Sequence, residues 1–469
     1  MEPTTIKPSA GAETRRDFLK KTATATAVVA ATGIFKTPVY GQNTAPSTGR
    51  VIGSNDRINV AVIGVGYGIG QDHIIGIQKK ATENNVAVVA GCDLFKTRRS
   101  WMMGQAEQYG RKMPQPLKES EVYTDYRKII ERKDVDAVVV ATTDPWHAPI
   151  SIQAMESGKH VYCEKPMTRY LGEAFAVHDV VKKTGRIFTV GSQGCSAGGW
   201  TKAGEMIQAG KIGPMVWAQG YYCRNNPKGE WNYEIDKTTN PENLDWNMWL
   251  GEVTKRPFDA DAFHRWRKYY PYCGGLLGDL VPHRLHPLML ATGKPEFPNR
   301  VVSIGTKHVH TDRKTPGTPE RDVPEHVQLT AEFPSGAIIT ISSSTVNAKS
   351  PGFVIYGHDA TMEIGDSGNR IKLIPERHMS EVIDEQEFTG MQHEDIRFHE
   401  KNWFDCIRSG KQPTAGIDLA VRVQTVICLA EMSERLKLTC LFDEKTRKVT
   451  TADGKEVKPL TYGSVKGLS

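Results

Sequence analysis

Six consecutive residues, Ile58 to Ile63 (INVAVI), form a β-rich run that ends abruptly in Gly64-Val65-Gly66-Tyr67-Gly68-Ile69-Gly70. Asp72 to Lys80 then reads as a helix. Few local patterns restrict a chain as much as a strand, a glycine turn and a helix in that order. The turn at Gly64 must be tight, and a bare backbone at Gly66 lets the chain approach a pyrophosphate resting on the helix N-terminus. Ile69 stands where a third glycine or alanine is usual, and Gly70 follows one residue later. A second β run, Val86 to Cys92, ends in Asp93, 29 residues after Gly64. A carboxylate in that register accepts hydrogen bonds from ribose hydroxyls and repels a 2′-phosphate, which favours NAD over NADP. Lys96, Arg98 and Arg99 just beyond could accept that phosphate, so NADP stays open.

The alternation of strand and helix continues through Asp136 to Thr143, a helix from His147 to Ser157, His160 to Glu164, a helix near Tyr170 to Lys183, and Ile187 to Gly191. Such alternation predicts a parallel, doubly wound Rossmann sheet over residues 58–191. Ligands of these sheets bind at the carboxyl ends of the strands. Thr142-Thr143-Asp144-Pro145-Trp146-His147 and Glu164-Lys165-Pro166 both fall at such ends.

The remaining length asks for more than one domain, since the chain has 469 residues. Residues 192–441 read as a second, α+β domain. Its β-rich runs are Met215 to Tyr222, Val301 to Gly305, Val327 to Phe333, Ala337 to Ser343, Phe353 to Tyr356 and Ile371 to Ile374, with a hairpin turn at Phe333-Pro334-Ser335-Gly336. A helix around Ala415 to Leu436 has core spacing, and residues 442–469 read as a polar tail.

Residues 1–41 resemble a twin-arginine export signal. Thr14-Arg15-Arg16-Asp17-Phe18-Leu19-Lys20 precedes a weakly apolar run from Thr22 to Phe35 and a small-residue stretch at Val39-Tyr40-Gly41. Residues 42–57, rich in Thr, Ser, Gly and Asn, read as a linker. Export by that route implies a periplasmic or otherwise exported protein that folds before it crosses the membrane, so the eight scattered cysteines are expected as buried thiols. Of the net charge of +6, the signal contributes six Lys/Arg against three Asp/Glu, leaving +3 on the rest. No basic stripe remains to suggest nucleic acid, and no membrane span is expected in the mature protein.

Gly158-Lys159-His160-Val161-Tyr162-Cys163-Glu164-Lys165-Pro166, preceded by a strand ending in Thr142 and by His147, resembles the signature of the glucose–fructose oxidoreductase and inositol 2-dehydrogenase (Gfo/Idh/MocA) family. Gly274-Gly275-Leu276-Leu277-Gly278-Asp279-Leu280-Val281-Pro282-His283 resembles its second conserved segment. The likeness extends to Thr189-Val190-Gly191-Ser192-Gln193 and to Asn402-Trp403-Phe404-Asp405-Cys406-Ile407, and covers most of residues 58–440. It implies a large, mainly antiparallel open sheet in the second domain, and a homodimer or homotetramer. It also implies that Lys165 stabilises the substrate oxygen during hydride transfer, that His283 exchanges its proton, and that Asp279 orients His283 or binds a neighbouring hydroxyl. Cofactor contacts are then expected from Gly64, Gly66, Tyr67, Gly68 and Asp93 on the first loops. Thr143, His147, Glu164, Lys165 and Gln193 are expected to contribute further contacts.

Asp279 and His283 are spaced to share one helix face, with Pro282 tolerated in a first turn. His286 stands where many relatives have an aspartate, which makes it a candidate substrate contact. No metal is expected from Asp279, His283 and His286, because neither a cysteine nor a second carboxylate joins them at zinc-like spacing. Six of the nine tryptophans lie between residues 200 and 266. As a group they suggest stacking on sugar rings, with Trp266, Arg267, Arg224, Asn225 and Asn226 near a carbohydrate or polyol substrate. Three functions follow from these residues: a dehydrogenase acting on a secondary hydroxyl with a tightly bound nicotinamide, a redox-assisted glycosidase, and a non-catalytic nucleotide or sugar binder. The presence of Lys165, Asp279 and His283 together weighs against the last.

Overall fold

The computed structural model describes residues 57–309 and 321–463. The export signal, almost all of the linker and His310 lie outside these residues.

Six strands form the first sheet: β1 (Ile58–Ile63), β2 (Val86–Cys92), β3 (Val122–Tyr123), β4 (Ala137–Val140), β5 (His160–Glu164) and β6 (Phe188–Gly191). All are parallel, in the order β3-β2-β1-β4-β5-β6. β1, β4 and β5 are buried along their whole length, and apart from Asn59, His160 and Glu164 they are apolar without alternation. The strand order reverses between β1 and β4, and the loops after these two strands therefore open a crevice at their carboxyl ends.

Among the described residues the second sheet has eleven strands. β7 (Met215–Cys223), β8 (Arg300–Thr306), β9 (His326–Glu332), β10 (Ile338–Ser344), β11 (Phe353–Gly357), β12 (Ala360–Ile364), β13 (Ile371–Pro375) and β14 (Gln386–Phe388) precede three short C-terminal strands. Every pairing is antiparallel except that of β7 with β10. Burial alternates along β9 and β12 because one face packs on helices and the other meets solvent. The expected turn joins β9 to β10, with Gly336 at φ 84° and its amide bonded to the Phe333 carbonyl at 2.9 Å. Seven cysteines are buried and Cys223 is half-buried, none in a disulfide.

Two domain boundaries differ from the sequence reading. Residues 442–469 are no tail through most of their described part: β15 (Cys440–Asp443) pairs with β8, and β16 (Lys448–Thr450) and β17 (Glu456–Val457) extend the sheet. Strands of two to four residues are too short to show a period, and they form because a sheet edge is already there to pair with. The helix Ile396–Ser409 lies within the stretch assigned to the second domain, yet Trp403 and Phe404 share an apolar cluster with Ile58, Val60, Val62 and Ile74 of the first.

Between β7 and the helical turn Leu276–Asp279 runs a long connection with three short helical pieces, Trp246–Leu250, Ala260–His264 and Trp266–Lys268. It builds its own apolar cluster from Leu244, Trp246, Trp249, Leu250, Phe263 and Tyr272, and takes Phe95 of the first domain into it. Lys96 N donates to Asn243 O at 2.8 Å and Trp146 Nε1 to Trp249 O at 3.0 Å, so this connection is fastened across the crevice of the parallel sheet.

Candidate active site

The crevice begins at the glycine loop. Gly64 has φ 89°, and a Cβ there would lie 2.5 Å from the Ala141 carbonyl oxygen, so the two strand-end loops meet only if this residue is glycine. A Cβ on Gly70 would collide with the Gly64 carbonyl oxygen. Gly70 therefore does the work of the third fingerprint glycine, letting the helix Ile69–Lys79 sit close against β1, although it stands one residue late in sequence. Gly66 faces open space toward the Arg98 guanidinium, 3.8 Å from where a Cβ would be. A cavity of about 370 Å³ lies above the loop. Gly64, Gly66, Tyr67, Gly68, Asp93 and Thr143 line one wall, and Tyr233, Trp249, Phe263, Trp266 and Arg267 of the crossing connection line the other. A bare glycine backbone at a helix N-terminus inside such a cleft fits a dinucleotide.

Asp93 is tied into the loop it was expected to serve. Its Oδ2 accepts from Val65 N at 2.8 Å and from Arg98 Nη1 at 3.4 Å and its Oδ1 from Phe95 N at 2.9 Å, leaving a lone pair on Oδ1 for a ribose hydroxyl. Of the basic residues beyond it, Arg99 donates to the Asp93 carbonyl at 2.8 Å, and Arg98 lies 4.9 Å from the Phe263 ring centre. The carboxylate wall thus favours NAD.

Next to the cleft wall at Arg267, Lys165 Nζ donates to Asp279 Oδ1 at 2.7 Å and to the Asp279 carbonyl at 2.9 Å. Arg267 Nε donates to the same Oδ1 at 2.9 Å. Burial raises the Asp279 carboxyl, but the charges of Arg267 and Lys165 outweigh it and hold the group well below the usual carboxylate range. The backbone explains the carbonyl contact. The expected single helix is broken into Leu276–Asp279 and Pro282–Ala291, with Pro282 in the first turn of the second piece. Across the break, His283 N bonds to Leu280 O at 3.2 Å instead of reaching back to Asp279. The Asp279 carbonyl is left for Lys165. His283 is half-buried, its ring 5.5 Å from Tyr222, and burial followed by the Lys165 charge holds its pKa well below the ordinary 6.5. A neutral imidazole beside an ammonium group can accept a proton from a hydroxyl that the ammonium binds.

Other predicted residues sit elsewhere. His147 is buried behind the cleft, its Nδ1 2.7 Å from Pro166 O and its Nε2 3.3 Å from Thr142 O, so it joins the two strand-end loops rather than lining the cavity. Glu164 is also buried: its Oε1 lies 3.1 Å from His73 Nε2, whose Nδ1 lies 2.7 Å from Glu400 Oε1. Gln193 faces a second, more open groove with Arg284 and Glu394. His286 is fully buried, with Nδ1 2.9 Å from Pro282 O on its own helix and a pKa lowered by burial to about 4. Expected as a substrate contact, it is instead enclosed in the core where its helix packs on β7 and Ile417–Leu436. Of the six clustered tryptophans, Trp249 and Trp266 line the cleft, Trp200 and Trp231 are buried, and Trp217 stacks on Tyr356 at 3.9 Å on the second sheet.

Three buried groups, Asp144, His73 and Glu400, had no separate signal in the sequence. Asp144 is 1% exposed, its Oδ2 has no hydrogen-bond partner, and burial pushes its carboxyl up to about 7. The triad of His73, Glu164 and Glu400 spans 327 residues of chain, so no local spacing reveals it.

A dinucleotide cleft joined through Arg267 to a lysine, a carboxylate and a neutral histidine defines a nucleotide-dependent oxidoreductase of two domains. Residues 58–192 match the oxidoreductase family with NAD-binding Rossmann fold, and residues 253–363 match the GFO/IDH/MocA C-terminal domain. Together these stretches cover just over half of the chain, which belongs to the Gfo/Idh/MocA family. A glycosyl hydrolase family 109 protein of Shewanella baltica is 30% identical over 177 residues, 36% of this chain and 37% of that protein. Inositol 2-dehydrogenase of Salmonella paratyphi B is 27% identical over 164 residues, 35% of this chain and 45% of that enzyme. The match therefore spans less than half the length of these curated relatives. Among solved structures, levoglucosan dehydrogenase in complex with NADH superposes with a TM-score of 0.59 at 17% identity, covering 82% of this chain and 98% of that one. Aldose–aldose oxidoreductase of Caulobacter crescentus gives 0.58 at 19%, covering 82% and 100%.

The buried triad generates a pH dependence. Burial lowers the His73 pKa, but hydrogen bonds to Glu164 and Glu400 outweigh it and raise the value to about 9. An unfolded histidine titrates near 6.5. The stabilisation is therefore whole below about pH 6.5 and is lost as pH rises through about 9, on the order of 3 kcal/mol. Urea midpoints should fall across that window, and His73→Ala, which leaves two buried carboxylates facing each other, should unfold at markedly lower urea even at pH 6.

Proposed function

We propose that the protein is a dehydrogenase acting on a secondary hydroxyl of a sugar, cyclitol or glycoside. The observation that carries this reading is the cluster of Lys165, Asp279 and His283 linked through Asp279 to Arg267, which lines the dinucleotide cleft. Bound NAD supplies the hydride acceptor. Lys165 donates a hydrogen bond to the substrate oxygen and favours its developing negative charge. His283 takes the hydroxyl proton, which it can do at neutral pH because it is uncharged. Asp279 holds the ammonium group in place and, with Arg267, keeps the local charge balanced. Trp266 and Trp249 offer apolar faces to the ring of a polyol. The match to inositol 2-dehydrogenase supports this substrate class.

The connection that crosses the cleft between β7 and Leu276 supports a nucleotide that stays bound between turnovers, recycled as one sugar is oxidised and another reduced. A second reading, a redox-assisted glycosidase, draws on the likeness to glycosyl hydrolase family 109 proteins. We further propose export through the Arg15-Arg16 pair, and a homodimer or homotetramer formed through the solvent-facing side of the large sheet.

The protein should purify with nicotinamide nucleotide, whose absorbance near 340 nm (about that wavelength for any reduced nicotinamide) rises with one sugar of a panel and falls with another. Release of an aglycone without net reduction would favour the glycosidase instead. Lys165→Met should lower turnover roughly 10²- to 10⁴-fold while leaving nucleotide binding intact. A loss of less than tenfold removes Lys165 from the chemistry. The acid limb of kcat/KM should lie below pH 6.5, because His283 titrates below its ordinary value. Replacing Arg15 and Arg16 by lysine should leave the chain in the cytoplasmic fraction of the expressing cell, and unchanged fractionation would overturn the export reading.

A further inference from the structure

At one end of the large sheet, far in sequence from the cleft residues, three metal-capable side chains converge. His358 and Asp359 form the turn between β11 and β12, and His378 lies in the helical turn Arg377–Met379 that follows β13. Asp359 Oδ1 is 2.6 Å from His358 Nδ1 and 3.6 Å from His378 Nε2. The three ligand atoms all lie within 4.8 Å of one another. The backbone holds these groups together without any ion. His358 N donates to Pro214 O, Asp359 N to Ile212 O and Glu376 N to Asp359 O, each at 2.9 Å. The turn and the segment after β13 are thus fastened to each other and to the loop before β7.

We propose that His358, Asp359 and His378 form a surface site for a divalent first-row transition ion of the zinc type. A tetrahedral ion with ligand bonds of about 2.0–2.1 Å sets its ligand atoms roughly 3.3 Å apart, between the two separations observed at Asp359. The imidazoles are 66% and 53% exposed, so each can rotate by the roughly 0.3–0.7 Å that these two separations require without disturbing the core. Two imidazoles and one carboxylate suit zinc, nickel or copper, whereas magnesium and calcium take oxygen ligands. Three protein ligands leave a coordination position for water. None of the three residues lines the dinucleotide cleft, so the ion takes no part in hydride transfer. Its effect is to clamp the β11–β12 turn to the segment after β13. Zinc-like spacing in the sequence could not have shown this, because the first two ligands are adjacent and the third is 20 residues away.

The untagged full-length chain, stripped with chelator, is titrated calorimetrically with zinc chloride, and with cobalt chloride while its visible spectrum is recorded. One-to-one zinc binding and cobalt bands of tetrahedral intensity are expected. A His358→Ala/His378→Ala double variant should bind zinc at least roughly 10- to 100-fold more weakly, the loss that removing even an outer-shell partner causes, while its nucleotide content stays that of the wild type. Equal binding by the wild type and the variant, or no binding by either, overturns the proposal. Should the double variant fold poorly, His378→Gln on the exposed segment gives the same comparison.

Discussion

Lys165 carries its ammonium group at the end of β5, where only 10% of its side chain meets solvent. A charge so placed needs an opposite charge within bonding distance, or it is lost to desolvation. That partner, Asp279, comes from the other domain, 114 residues further along the chain. The site therefore exists only when the two domains are packed, and the break at Pro282 that frees the Asp279 carbonyl belongs to the same requirement. Arg267 shares the carboxylate and also lies over the Trp266 ring at 4.2 Å, which ties the crossing connection into the same charge cluster.

A similar pairing repeats one layer deeper. Arg169, three residues beyond Pro166, makes a bidentate contact with Glu431 of the helix Ile417–Leu436, at 2.6 and 2.8 Å, and donates to the Tyr270 carbonyl. On the opposite side Glu164 meets His73, whose other ring nitrogen meets Glu400. The loop that presents Lys165 is thus held by ion pairs to three separate elements, each buried enough for geometry to matter more than screening. Such rigidity is what a group must have if it is to meet a developing charge without rearranging.

Much of this was legible locally. The glycine loop, the carboxylate at the end of β2, the Glu-Lys-Pro turn and six of the seven strands of five or more residues in the second sheet, all but β12, reveal themselves through short-range pattern, since period, turn chemistry and register are properties of neighbouring residues. Gly70 shows the limit of that reading: its role depends on how close the helix comes to Gly64, a distance no spacing states. His286 shows it more sharply. One residue type in one motif looked like a substrate contact, and only the packing of its helix turned it inward. The short strands β15 to β17 form for the complementary reason, that an existing edge supplies the hydrogen-bond partners they cannot supply to themselves.

The sequence by itself determined the parallel sheet, the nucleotide it favours and the chemical types brought to the site, because these rest on backbone freedom at glycines, on apolar runs and on the charge of a few side chains. The tertiary structure decided which of those side chains face substrate and which serve as struts. His73 acquires its protonation behaviour from burial between two carboxylates and Asp144 from burial with one oxygen unpartnered, and burial is a property of the folded assembly rather than of any stretch of chain.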